Sequence, residues 1–263
     1  LLQSPEGQDI GLEYLHDRGF TDETIQLFQL GYAPDAWQTF TDEAKKDGFP
    51  PDRLMQMGLC GRSEKTGRLY DKYRDRIIFP IHNVSGTVVG FGGRILSKDS
   101  RGPKYLNSPE TPLYDKSKEL YGLFFAKMAI RERKEAILVE GYTDVISLHQ
   151  AGVTNAIATC GTSLTEQHLK QLSRFTNRLL LLFDGDEAGI RASLRSIDLA
   201  VAQSFEVKVL LLPEGQDPDE FVQQRGAKGF REFSEQHAEG FVEFILHATA
   251  GDEPLDNPEI RTR

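Results

Sequence analysis

The sequence predicts an α/β protein in three parts: a mixed α+β N-terminal subdomain, a central parallel sheet with helices on both faces, and an incomplete helical C-terminal subdomain. Three observations carry this prediction. From Glu135 onward, short apolar runs alternate with longer helix-like stretches at short spacing, the mark of repeated βα units. Before that, two strand-like runs flank a glycine turn. After Pro213 the chain turns acidic and helical. The expected boundaries are 1–132, 133–216 and 217–263.

Residues 1 to 60 read as helical and irregular. Ile10 to His16 has helical apolar spacing, and Thr21-Asp22-Glu23 offers a capping hydroxyl with first-turn acids to a second helix, which Gly31 is expected to stop. A third helix is expected over Trp37 to Lys46, closed by Gly48 and the Pro50-Pro51 pair. Arg76 to Ile81 and Thr87 to Phe91 flank Asn83-Val84-Ser85-Gly86 and predict a hairpin. Gly90, Gly92 and Gly93 then bring the backbone close to another strand or to a ligand. Residues 97 to 118 lack a regular pattern, but a long loop with Tyr105 and Leu106 as anchors is expected to be an ordered binding loop.

The βα units follow. Strands are expected at Ala136 to Val139, Ala156 to Thr159, Leu179 to Phe183 and Val207 to Leu212. The helices between them are Thr143 to Ala151, Thr165 to Phe175 and Glu187 to Gln203. Short connections and right-handed crossovers make these strands parallel. Pro218-Asp219-Glu220 opens one further helix, and Phe230 to Ala248 supports another.

Composition narrows the function classes. The 263 residues are 39% hydrophobic and 10% aromatic, ordinary for a packed globular protein. No run approaches the ~20 apolar residues of a membrane span, and the N-terminus lacks a signal-peptide pattern, so no membrane partner and a cytoplasmic location are expected. Cys60 and Cys160 are far apart with no CxxC or Cys/His spacing. Both are expected to be buried thiols, with neither a disulfide framework nor a zinc site. The net charge of −9 conceals an uneven distribution: Arg68 to Lys104 has eight Lys/Arg against three Asp/Glu, and Phe205 to Arg263 has six against thirteen. A polyanion meets the local field, so the global sum does not exclude one.

The acids are placed to act together. Glu140 follows the first βα strand, Asp184 and Asp186 follow the third, and Asp217 and Asp219 follow the fourth, so each leaves the C-terminal edge of the same expected sheet. Carboxylates held together repel, and a hard divalent cation relieves the repulsion; oxygen-only ligands favour Mg²⁺ or Mn²⁺. Two such ions suit attack by a hydroxyl with departure of pyrophosphate. Taken singly, each acid also has a structural explanation. Asp-Gly-Asp occurs in ordinary turns, and Asp144 and Asp219 suit the first turn of a helix. The chain has no G-x-x-x-x-G-K-[ST] loop, no G-x-S-x-G elbow and no zinc-ligand spacing among its six His.

Glu140-Gly141-Tyr142-Thr143-Asp144 and Asp184-Gly185-Asp186-Glu187-Ala188-Gly189 together resemble the TOPRIM signature, the acidic metal site of bacterial primases, topoisomerases and some nucleases. Three flanking segments narrow the resemblance. They are Tyr73-Arg74-Asp75-Arg76-Ile77-Ile78-Phe79-Pro80-Ile81, Gly90-Phe91-Gly92-Gly93-Arg94 and Pro103-Lys104-Tyr105-Leu106-Asn107-Ser108-Pro109-Glu110-Thr111, and they are similar to the catalytic core of DnaG-type bacterial DNA primases. The match runs from near the start to about residue 245.

The resemblance implies an RNA polymerase core making short primers from ribonucleoside triphosphates on single-stranded DNA at the bacterial replication fork. It implies that Glu140, Asp184, Asp186 and Asp217 bind two or more divalent ions, with Asp144 and Asp219 in the same cluster, and that Glu140, Asp184 and Asp186 are catalytic. It also implies a basic surface beside that site, formed by Arg94, Lys104, Asn107 and Lys116. Arg74 and Arg76 extend this track or form a solvated strand face; Tyr105 stacks a base or packs its loop. Tyr142 is expected to be structural, and His82, His149 and His168 to have no chemical role. The family's zinc-binding and helicase-binding domains have no counterpart in this stretch, so an excised, monomeric polymerase core is expected, with the replicative helicase reached through the missing domain. The alternatives are a TOPRIM nuclease and a non-catalytic nucleic-acid-binding module. A topoisomerase would need a catalytic tyrosine in a further domain.

Overall fold

In the computed structural model, which describes residues 1–97, 102–183, 187–213 and 216–250, the chain divides into two units. One comprises Leu1–Phe124 with Cys160–Thr162, the other Phe125–Thr159 with Ser163–Arg263.

The first unit opens with a π-helical turn, Gly7–Leu12, that continues into α1 (Glu13–Asp17). In α2 (Asp22–Leu27) the Thr21 hydroxyl accepts the Thr24 N–H, the cap expected of that residue. The stop differs from expectation: the helix ends at Phe28, Gln29 takes the left-handed conformation (φ 55°), and Gly31 instead begins β1 (Gly31–Ala33). Helix α3 (Thr39–Lys46) starts two residues later than its apolar pattern suggests. Its first N–H groups are bound from outside, because the Asp71 carboxylate accepts from the backbone N–H of Phe40 and of Thr41. Pro51 opens α4 (Pro51–Gln56), so the proline pair begins a helix as well as closing one. Two unexpected short strands, β2 (Cys60–Arg62) and β3 (Leu69–Asp71), pair antiparallel. Ala44, Leu54 and Cys60 bury a small local core against Phe40 and Met55.

The expected hairpin is present as β4 (Arg76–His82) and β5 (Val88–Ile95). Asn83 Oδ1 shapes the turn by accepting from the N–H groups of Ser85 and Thr87. With β6 (Tyr105–Asn107) the sheet order is β1-β4-β5-β6. The glycine approach proves to be to strands and rings: Gly92 and Gly93 pair with Asn107 and Leu106, and a Cβ on Gly90 would lie 2.9 Å from the Tyr114 ring. Part of the 97 to 118 segment is thus a strand. The unit also contains β7 (Leu120–Tyr121).

The second unit begins within α5 (Leu123–Arg133), a helix the sequence pattern did not predict, and continues as β8 (Ala136–Val139), α6 (Tyr142–Gln150), β9 (Ala156–Thr159), α7 (Glu166–Leu172), β10 (Arg178–Phe183), α8 (Glu187–Ala202) and β11 (Glu206–Leu211). All four strands run parallel, in the order β11-β10-β8-β9. Their apolar runs form the core: Ala136 to Val139 and Leu179 to Phe183 are buried throughout. Helix α8 packs on β10 and β11, and α6 on β9 and α9 (Pro218–His237).

The helical tail departs from expectation. Gly226 (φ 63°, ψ −178°), in a region open essentially to glycine alone, breaks α9 internally. The second half of α9 then reaches His237, where the expected Phe230 to Ala248 helix would have continued. Ala238 is extended instead, β12 (Glu239–Gly240) adds antiparallel to β11, and α10 (Phe241–Ala250) follows. No helix among the described residues is long and apolar enough to cross a membrane.

Candidate functional site

Strand order fixes where the second unit can hold a ligand. The chain passes from β8 to its neighbour β9 and then crosses to β10 on the other side of β8. The connections leaving β8 and β10 therefore diverge, the arrangement beside which open α/β sheets commonly bind ligands at the C-terminal ends of their strands. Glu140 directly follows β8 and is exposed. Phe183 is the last residue of β10, and the sequence continues into Asp184-Gly185-Asp186. Asp184 and Asp186 lie outside the described residues.

The other acids have structural partners. Asp144 Oδ2 accepts from the Gly141 N–H at 2.9 Å and closes the start of α6. Asp217 is the cap of α9, its Oδ1 accepting from the Glu220 N–H at 2.8 Å. Asp219 is buried at 3% exposure and accepts from the Ser147 hydroxyl and the Gln223 amide. Each carboxylate has lone pairs beyond these bonds. Among the described residues no group of three or more His, Cys, Asp or Glu is placed to hold a metal ion.

In the first unit the candidate basic residues fall into distinct settings. Arg76 is buried, and its guanidinium donates to the carbonyls of Gly93, Pro103 and Lys104. Arg94 lies over the Tyr14 ring, 5.1 Å from its centroid. Asn107 Nδ2 donates to the Cys160 carbonyl at 3.0 Å. The Lys116 N–H donates to Glu110 Oε1. Tyr105 is exposed at 39%, and Lys104 is exposed. Arg94 and Tyr105 are cross-strand partners on β5 and β6, so cation and ring share one stretch of sheet.

Arg74 stands beside a residue that the sequence reading did not single out. Its guanidinium lies 3.8 Å from the centroid of Trp37, which is 64% exposed and meets Tyr70 edge-on at 6.2 Å. Tryptophan is seldom left this exposed without a contact to make. The sequence offered one signal, a single tryptophan before a basic segment, but its helical reading set Trp37 inside a helix instead of ahead of it.

The residues expected to be chemically silent have structural partners. Burial lowers the His149 pKa to about 4, and its Nε2–H donates to the Ala156 carbonyl at 2.9 Å. His168 completes a reciprocal cap with Thr165. Tyr142 is buried, and Cys60 and Cys160 are both buried and form no disulfide.

Comparison with known proteins follows these divisions. The family described as DNA primase catalytic core, N-terminal domain, matches residues 1–127, and the Toprim-like family matches residues 137–222. A DNA primase of Halalkalibacterium halodurans is 45% identical over 231 residues, which cover 88% of this chain and 38% of that protein. The chain thus spans well under half the length of that relative. The crystal structure of a DNA primase domain from Pseudomonas aeruginosa is 38% identical with a TM-score of 0.89, covering 97% of this chain and 80% of that one. A DnaG primase catalytic domain bound to single-stranded DNA is 36% identical with a TM-score of 0.86, covering 100% of this chain and 84% of that one.

Proposed function

Because the chain belongs to the DnaG-type DNA primase catalytic core family, we propose that it joins ribonucleotides into short RNA primers on a single-stranded DNA template. The observation that supports this reading is the strand order β10-β8-β9, with Glu140 directly after β8 and Asp184 next in sequence after β10, the kind of switch point at which open α/β sheets bind ligands. The similar catalytic domain bound to single-stranded DNA supports the template as substrate.

The donor set fits Mg²⁺ or Mn²⁺: Glu140, Asp184, Asp186 and Asp217 supply only carboxylate oxygens, with Asp144 and Asp219 in the first turns of α6 and α9. Asp184 and Asp186 are members of the proposed set. Two or more bound ions would lower the pKa of the attacking ribose hydroxyl and offset the charge of the departing pyrophosphate. Glu140 stands at the strand end as ligand or proton acceptor. Gly141 lets the Asp144 carboxylate fold onto its N–H, which sets the direction in which the chain leaves Glu140.

The basic residues of the first unit serve the template in this reading. Arg94, Lys104, Asn107 and Lys116 meet nucleotide or template phosphates, Arg74 contributes charge beside Trp37, and Tyr105 and Trp37 offer faces to bases. Arg76 supports this surface from beneath. The chain acts as a monomeric core with three parts near 1–132, 133–216 and 217–263, in the bacterial cytoplasm at the replication fork. The helicase partner would engage a further part of the longer protein.

The test is template-dependent incorporation of labelled ribonucleotides with Mg²⁺ or Mn²⁺, run beside a cleavage assay on the same DNA. Labelled RNA that depends on template supports the reading. Cleavage without incorporation would establish the nuclease, and saturable DNA binding with neither activity would establish the binding module.

A further inference from the structure

Arg76 is only 4% exposed. Burying a guanidinium is costly unless its donors are satisfied, and among the described residues its hydrogen bonds all go to backbone carbonyls. One terminal nitrogen donates to Gly93 O at 2.9 Å and Lys104 O at 3.3 Å; the other donates to Pro103 O at 2.9 Å. The side chain starts on β4, crosses β5 and ends on the residues that lead into β6. Gly93 makes the crossing feasible. A Cβ there would lie 3.0 Å from Arg76 Cδ and 2.8 Å from the Tyr73 ring. The glycine that suggested a close approach in the sequence is the groove in which the arginine lies.

The pinned residues need this support. Ladder pairing between β5 and β6 begins at Arg94 with Tyr105, so the residues before Tyr105 lie outside the regular strand. Pro103 has no N–H to donate. The Ile95 N–H donates to Lys104 O at 3.0 Å, and the arginine fork adds two bonds from the other side. A planar guanidinium spans two successive carbonyls, which a single ammonium cannot do with the same geometry.

We infer that Arg76 is a positioning residue: its fork fixes the backbone of residues 103 and 104 and so holds the Lys104 and Tyr105 side chains at the template surface, while its own charge meets no phosphate. This inference rests on the reading of the 94 to 116 segment as a template contact.

The test is the salt dependence of single-stranded oligonucleotide binding to the 263-residue chain, measured by fluorescence anisotropy. Lys104→Ala should lower the slope of log Kobs against log salt by about 0.7, one phosphate contact on a single strand. Arg76→Met should lower it by a similar amount, and the double variant should fall no further. Arg76→Lys keeps the charge but loses the fork, so it should behave as Arg76→Met does. Additive slope losses in the double variant, or a wild-type slope in Arg76→Lys, would overturn the inference. If Lys104→Ala itself leaves the slope unchanged, the template-contact reading fails and the inference with it. Should Arg76→Met not fold, Gly93→Ala crowds the same side chain, together with the Tyr73 ring, without removing it. Its expected slope is that of Lys104→Ala, and a wild-type slope there would count against the positioning role.

Discussion

The hydroxyl of Ser147 on α6 donates a hydrogen bond to the buried carboxylate of Asp219 in the first turn of α9. The Gln223 amide supplies a second donor one helical turn further on. Two helices are thereby joined at a charged group through residues 72 positions apart in sequence, and Asp219 has a packing role whatever its relation to metal. Ser147→Ala leaves that carboxylate one donor short. Urea denaturation should show a loss of about 1–3 kcal/mol, the usual cost of a buried acceptor deprived of a partner. An unchanged midpoint would mean that water replaces the hydroxyl.

Asp184 and Asp186 should separate chemistry from folding. Each follows β10 in sequence, and the apolar residues of that strand supply the burial in that region. Replacing either by Ala is expected to reduce nucleotide incorporation on the order of 10²–10³-fold or more, as removal of an electrostatic contact to developing charge does. Circular dichroism and the thermal midpoint should be retained. Primer synthesis at the wild-type rate would remove the turn from the site.

Trp37 offers a probe of the proposed template binding. It is the only tryptophan in the chain and is stacked with Arg74 at 3.8 Å. Adding single-stranded DNA should change its emission saturably, and salt should reverse the change. Trp37→Ala should weaken binding by about 1–3 kcal/mol if the indole stacks on a base. An emission unaffected by saturating DNA would place Trp37 off the template path.

The parts of the fold that were legible in the sequence are those whose burial is local. Ala136 to Val139 and Ala156 to Thr159 were recognisable as strands because they sit inside a parallel sheet and are apolar except for the terminal Thr159. Strands β2 and β12 have three and two residues and show no periodicity, so only their pairing partners define them. The start of α3 depends on Asp71, some 30 positions away, which a local capping rule cannot anticipate. The same contrast holds at the site. The acids are expected at one sheet edge because each follows an expected strand, and of these Glu140 directly follows β8 while Asp184 and Asp186 lie outside the described residues. The setting of Arg76 was hidden, because an arginine flanking an apolar strand reads as solvated until the bare backbone of Gly93 is placed beneath it.

His149 gives a pH dependence whose sign follows from its burial. The imidazole donates to the Ala156 carbonyl and so joins α6 to β9, and burial lowers its pKa from 6.5 to about 4. The unfolded chain therefore binds a proton from about pH 6.5 downward, whereas the folded chain stays neutral at this residue until about pH 4. The contribution to stability is complete above the unfolded value and is lost as pH falls through that window. Its size is on the order of 3 kcal/mol. Carboxylates also titrate at the lower end, so the comparison needs a partner variant. His149→Gln keeps an N–H donor for the carbonyl and has no titration. Between about pH 7 and pH 4 the wild-type chain should lose on the order of 2–3 kcal/mol more than the variant in chemical denaturation. Parallel stability curves would show that the imidazole is protonated in the folded chain as readily as in the unfolded one.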